Sequence, residues 1–372
     1  MKHKTAFLST ITIILTFVVI GPALFVYIVD PFQIYHKSFF KEAKYSTEQS
    51  YQHAGWINQL LADPENNYQA IVIGPSTMAN YTQTLINKHL AWGNTMNLSV
   101  NGSTPSMQHS IAQYALKKNP RIKHILWDVH AFYAFDAGVL DNKTQLQFPH
   151  YLYNEKIWDD KPYLFNVTNI QTGIDFLRGD FSKFSANIED NGPFYESLHI
   201  QDRFNINASQ DNRKNALLPQ LVDLDRTMPN DPNLKTNFSS IDVYMLDVLL
   251  PLCNSDSDIK IIFSPTERFN YATTADIHYL YRQLFMRRYV VNKTEHCKNI
   301  RVFAFDNIDW IVNDLRNFAD NYHYQIGIND YIMESIVKNE NQLTTGNINE
   351  YETTFIRNIN GYKKIFLSEL TP

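Results

Sequence analysis

Ile71-Val-Ile-Gly-Pro-Ser-Thr-Met-Ala-Asn80 is a β-branched run closed by Gly-Pro and followed at once by a serine. It reads as strand, tight turn and helix, with Ser76 held at the turn. A hydroxyl there meets unpaired amide donors and the positive dipole end of the helix that follows. Both favour negative charge, and so suit a nucleophile whose attack on a carbonyl generates an oxyanion. Serine is also among the best N-cap residues, so the rest of the chain must decide between a cap and a nucleophile.

Outward from this stretch, strands and helices alternate. Ala70 to Ile73 reads as a strand and Thr77 to Leu90 as a helix. Thr95 to Val100 is a second strand, leading through Asn101-Gly102-Ser103-Thr104-Pro105 into a helix over Ser106 to Leu116, with Pro105 suited to its first turn. Ile122 to Trp127 is a third strand. After a long interruption come a helix over Ser240 to Leu252, a strand at Ile259 to Phe263, a helix over Asp276 to Val291, a strand at Arg301 to Phe305 and a helix over Ile326 to Val337. Such alternation predicts βαβ units. The fold class expected is α/β, a three-layer α/β/α sandwich around a five-stranded, mostly parallel sheet. In such sheets ligands bind outside the carboxyl ends of the strands. Ser76, the Asn101-Gly102 loop, Asp128 and the Asp320–His323 loop all follow strand ends, so topology alone brings them to one edge.

Domain boundaries follow from the same pattern. Residues 1–30 are expected to be a cytoplasmic tip and a transmembrane signal anchor, because Ala6 to Val29 carries 24 residues without a charge behind Lys2 and Lys4. Gly21-Pro22 would kink that helix, and no good cleavage site follows it. Residues 31–68 read as a connector, and 69–345 as the α/β domain. The polar, aromatic stretch 136–238 interrupts that domain and is too long for a loop, so it is expected to be an inserted subdomain or lid. Residues 346–372 form a C-terminal segment.

Composition sets limits on function. A net charge of −5 gives no reason to expect nucleic acid as a partner, and the chain contains no P-loop, zinc-finger spacing or internal repeat. Asp128 and His130 alternate at a strand end, but two ligands do not make a metal site, and no cofactor is expected. Cys253 and Cys297 are the only cysteines. Each precedes a strand at the edge opposite Ser76, where a disulfide is possible in an oxidising compartment.

A serine nucleophile needs a base. His323, just before a helix, is the best placed of the 12 histidines, and Asp320 can accept from its Nδ1 and turn Nε2 toward Ser76. The backbone N–H groups of Ser76 and Gly102 are the expected oxyanion donors, with the Asn101 amide as a third. Asn80 and Asp128 are expected to support the site.

These blocks resemble the SGNH/GDSL hydrolase superfamily: strand–Gly-x-Ser near the start, a glycine loop after the second strand, and Asp-x-x-His near the end. The resemblance is closer to its membrane-anchored branch encoded with bacterial surface-polysaccharide systems, through Asp30-Pro31, the block at 97–106 and Asp320 to Tyr324. It covers about 70–130 and 255–340 plus the anchor. It implies Ser76 as nucleophile, His323 as base, Asp320 as its partner and Gly102 in the oxyanion hole. It further implies an anchored serine esterase or O-acetyltransferase in the periplasm, acting on an acyl ester or a glycan, with an integral membrane acyltransferase as a possible partner. The chain departs from the family at Gly74-Pro75-Ser76 and at Trp127-Asp128-Val129-His130, where the usual asparagine donor is missing. An inactive binding or assembly subunit and a lipid esterase or thioesterase are the alternative readings.

Overall fold

The computed structural model describes residues 18, 20–37, 45–46, 48–135, 148–180, 184–185, 227, 238–273 and 277–368. The chain divides into two compact units: residues 1–67, 114–120 and 147–188 form the first, and 68–113, 121–146 and 189–372 the second.

The second unit is built on a sheet of six strands: β1 (Tyr68–Ile73), β2 (Asn94–Asn97), β3 (His124–Asp128), β4 (Asp258–Phe263), β5 (Ile300–Ala304) and β6 (Gln342–Leu343). Their order is β2-β1-β3-β4-β5-β6. The first five are parallel, and β6 pairs antiparallel with β5. The sheet is therefore six-stranded and mixed, not five-stranded as the sequence predicts. β6 is two residues of polar surroundings, too short to show an apolar run.

The helices are α1 (Gln83–Leu90), α2 (Pro105–Lys118, its residues from Tyr114 belonging to the first unit), α3 (Ile277–Thr294), α4 (Ile326–Lys338) and α5 (Ile348–Ser368). Side chains of one sheet face, among them Val72, Leu126, Ile262 and Phe303, form a single core with Ile86 of α1 and Ile328, Ile332, Met333 and Ile336 of α4. On the opposite face, Trp127 is wholly buried and its Nε1–H donates to Gln108 of α2 at 3.0 Å. Strands buried on both faces are why the sequence shows continuous apolar runs there and not alternation.

In the first unit a helix ends at residue 29. Asp30, with φ +43°, turns its buried carboxylate back to accept from the backbone N–H groups of Ile34, Tyr35 and His36. Among the described residues no helix is long and apolar enough to cross a membrane, contrary to the expected N-terminal span. Residues 6–17 and 19 of that expected span lie outside the described residues. Part of the apolar content of 20–29 serves packing within the unit: Val26 is fully buried, and a Cβ added at Gly173 would lie 3.0 Å from the Phe25 ring. Gly173 belongs to the helix Val167–Leu177, so the described residues 148–180 of the expected insertion are part of this unit. Around the buried Tyr163 gather Phe32, Tyr35 and Tyr51, with ring centroids 5.6–6.1 Å away. Of the expected insertion, residues 136–147, 181–183, 186–226 and 228–237 lie outside the described residues.

Cys253 and Cys297 form a disulfide spanning 44 residues at the amino ends of β4 and β5. Closing a loop of that length restricts the unfolded chain by up to about 4 kcal/mol. The double substitution Cys253→Ser/Cys297→Ser is expected to lower the unfolding free energy by about 2–4 kcal/mol in denaturant titration. Superimposable curves would contradict this.

Candidate active site

β1 ends at Ile73, and the chain turns through Gly74. A Cβ there would lie 2.5 Å from Met78 Cγ and 3.1 Å from Asp128 Cβ, so the close approach of these two segments demands glycine. Pro75 is extended, and Ser76 opens a single 3-10 turn, Ser76–Met78. The helix expected over 77–90 is thus two elements. α1 starts only at Gln83, capped by Thr82 Oγ1, which accepts from the Leu85 N–H at 3.2 Å. Ser76 therefore sits at the open amides of one turn and not at the end of a long helix dipole.

His323 reaches it from the chain beyond β5. After that strand, Phe318 and Tyr324, both buried in the core, pair as an isolated bridge, and Ala319 N–H donates to the His323 carbonyl at 2.8 Å. The tight loop between them carries Asp320 and His323. His323 Nε2 lies 2.7 Å from Ser76 Oγ, and His323 Nδ1 lies 2.6 Å from Asp320 Oδ2. An ionised carboxylate only accepts, so Nδ1 carries the proton and Nε2 accepts from the serine hydroxyl. Burial opposes ionisation of Asp320. Hydrogen bonds from the His323 ring and from the N–H groups of Tyr322 and His323, each at 2.9 Å, outweigh it and hold the carboxyl well below the usual range. Residues 247 positions apart thus form one hydrogen-bonded chain.

The glycine loop is bound to the same turn. Gly74 O accepts from the Val100 N–H at 3.1 Å and from Ser103 Oγ at 3.0 Å. Between these residues Gly102 adopts φ +64°, a left-handed conformation that a side chain would strain. Neither the Ser76 N–H nor the Gly102 N–H donates to another described residue. Asn101, beside Gly102, is exposed. Asn80 is buried after the 3-10 turn and makes no hydrogen bond to Ser76, His323 or Asp320 among the described residues.

Asp128 has a defined part. Fully buried at the end of β3, it accepts from Thr77 Oγ1 at 2.6 Å and from the Ser264 N–H at 3.2 Å. It thereby joins the residue after Ser76 to the end of β4. Two contributors were not anticipated. Asn97, buried at the end of β2, donates through Nδ2 to the carbonyls of Met78 at 2.7 Å and Tyr81 at 3.2 Å, stapling the turn from below. The Tyr81 and Tyr324 hydroxyls meet at 3.2 Å, and Tyr324 donates to Ser264 Oγ at 3.3 Å. β2 reads Asn-Thr-Met-Asn, so no break in an apolar run marked Asn97 in the sequence.

Among the described residues the one group of three metal-compatible side chains is Cys253, His296 and Cys297. Its two sulfurs are joined to each other, which leaves a single free ligand. No protein-family model matches this chain, and no curated protein matches it.

Burial pushes the Asp128 carboxyl up to about 6, against the lowering effect of its bonds to Thr77 and Ser264. An unfolded aspartate titrates near 3.9, so the folded protein binds this proton more tightly. The stabilisation is complete below about pH 4 and is lost as pH rises through about 6, a change of about 3 kcal/mol. In Asp128→Asn this dependence is absent. The stability of the variant relative to the parent should therefore increase between pH 4 and 7, and parallel stability curves would contradict the assignment.

Proposed function

We propose that the chain is a serine acyl-ester enzyme, an esterase or O-acyltransferase of SGNH-like type, with Ser76 as nucleophile, His323 as general base and Asp320 as the residue that orients it. The observation that carries this reading is the continuous chain Ser76 Oγ, His323 Nε2, His323 Nδ1, Asp320 Oδ2, with spacings of 2.7 and 2.6 Å. It stands at the carboxyl ends of the parallel strands of a mixed sheet, where such folds bind ligands.

The geometry fits a two-step acyl transfer. Ser76 Oγ attacks the ester carbonyl while its proton passes to His323 Nε2, and the carbonyl electron pair moves onto oxygen. The N–H groups of Ser76 and Gly102, which donate to no other described residue, are the proposed donors to that oxyanion. Collapse expels the alcohol, which takes the proton from His323, and leaves an acyl-serine. Water or a sugar hydroxyl then repeats the attack in reverse order. The disulfide supports placing this body in an oxidising compartment outside the cytoplasm.

A serine-directed phosphonate should label Ser76 in the full chain, and Ser76→Ala should abolish the label. His323→Ala should slow labelling by about 10²–10⁴-fold, the range for loss of a general base. A folded protein that takes no label, or takes it at a different residue, would overturn the proposal.

A further inference from the structure

Two backbone amides are a minimal oxyanion site, and the end of β3 offers a third group. His130 follows Asp128 by two residues and lines a small cavity together with Thr77, Asp128, Ser264 and Tyr322. Thr77 is the chain neighbour of Ser76 and Tyr322 that of His323, so two of the cavity's walls come from residues next in the chain to the proposed nucleophile and base. The imidazole packs edge-on against Tyr322, ring centroids 5.2 Å apart, and tilts against Phe132 at 5.3 Å, which fixes its plane.

His130 Nδ1 is buried and has no hydrogen-bond partner among the described residues. Nε2 is not enclosed in this way, and the residue as a whole is half-buried. A buried N–H without an acceptor is costlier and rarer than a buried lone pair. The favoured neutral tautomer therefore carries its proton on Nε2.

We infer that His130 is a catalytic residue of the acyl-transfer reaction: its neutral imidazole donates from Nε2 to the carbonyl oxygen as that oxygen becomes an oxyanion. This rests on the serine-enzyme reading above. No proton is transferred from His130. The C–Oγ bond forms, the π pair moves to oxygen, Nε2–H shortens its hydrogen bond to that oxygen, and the serine proton goes to His323. Burial, with a smaller effect of the charge on His323, lowers His130 to about 4, which keeps it neutral beside a second histidine that takes up the proton. Two histidines from different strand ends then have separate tasks, one as base and one as donor.

Attack of a serine on a phosphonate drives negative charge onto the phosphoryl oxygen at the place of the oxyanion before the leaving group departs, so labelling rate reads the donor. In the full chain, His130→Ala should slow phosphonylation of Ser76 by about 100-fold, the loss seen when one such donor is removed. His130→Asn, which keeps an N–H donor, should recover most of that rate, although both variants lose the same aromatic packing. Equal labelling rates for parent and His130→Ala would overturn the inference. Absence of labelling in the parent would instead remove the serine reading on which it depends. Should His130→Ala fail to fold, nitrogen-15 spectra of histidine-labelled parent protein give the answer directly. The His130 Nε2–H signal, assigned by its absence in His130→Asn, should move downfield on phosphonylation, and an unmoved signal would overturn the inference.

Discussion

Asp128 lies wholly out of solvent at the carboxyl end of β3, and a carboxylate in that position is tolerated only when its oxygens are hydrogen-bonded. Its two partners are Thr77 and the backbone of Ser264, which come from the loops after β1 and β4 on either side of β3. Satisfying one buried group therefore fixes the spacing of three strand ends. Ser76 precedes Thr77 in the chain, and its hydroxyl cannot wander while its neighbour is held at 2.6 Å. Removing the Cβ at position 74 is part of the same arrangement, because Asp128 and Met78 occupy the space that a side chain would need.

The remaining supports approach the Ser76 turn from other directions. Asn97 holds the carbonyls of Met78 and Tyr81 from the β2 side, while Ser103 and Val100 hold Gly74 O. On the β5 side, Phe318 and Tyr324 anchor the Asp320–His323 loop in the core. A 3-10 turn leaves its amides open over a shorter distance than a long helix does, so the electrostatic help at Ser76 comes from individual N–H groups and not from a macrodipole. Rigid positioning of both partners is what lets a hydroxyl and an imidazole from opposite ends of the chain meet at hydrogen-bond distance.

Much of this was legible from residue order. β1, β3, β4 and β5 are β-branched or aromatic runs buried on both faces, and such runs announce themselves. Ser76, Asp320 and His323 were visible because each follows a strand that reads clearly. β6 was missed because its two residues carry no pattern. α5 was missed because Asn358, Asn360 and Gly361 weaken its helix signal, although Phe355, Ile359 and Tyr362 recur at helical spacing and are buried. Its buried Glu352 is satisfied by Arg288 of α3 at 2.8 Å, a pairing no local pattern could reveal. The same holds for Thr77 with Asp128 and for Asn97 with the 78–81 carbonyls, since these depend on strand register. The break at Asn80-Tyr-Thr82 was readable in principle, because Thr82 is a good cap. The expected N-terminal span rested on composition, and in its described part some of those apolar side chains are used for packing inside the first unit.

The central claim is that Ser76 carries an acyl group during turnover. Rapid acid quenching of the full chain mixed with an activated acetate ester, followed by peptide mass analysis, tests it most directly. The account predicts one acetyl group on the peptide that contains Ser76, accumulating before steady state and absent in Ser76→Ala. Acetate release without an acyl-Ser76 species, or acetylation confined to lysines and the chain terminus, would contradict it.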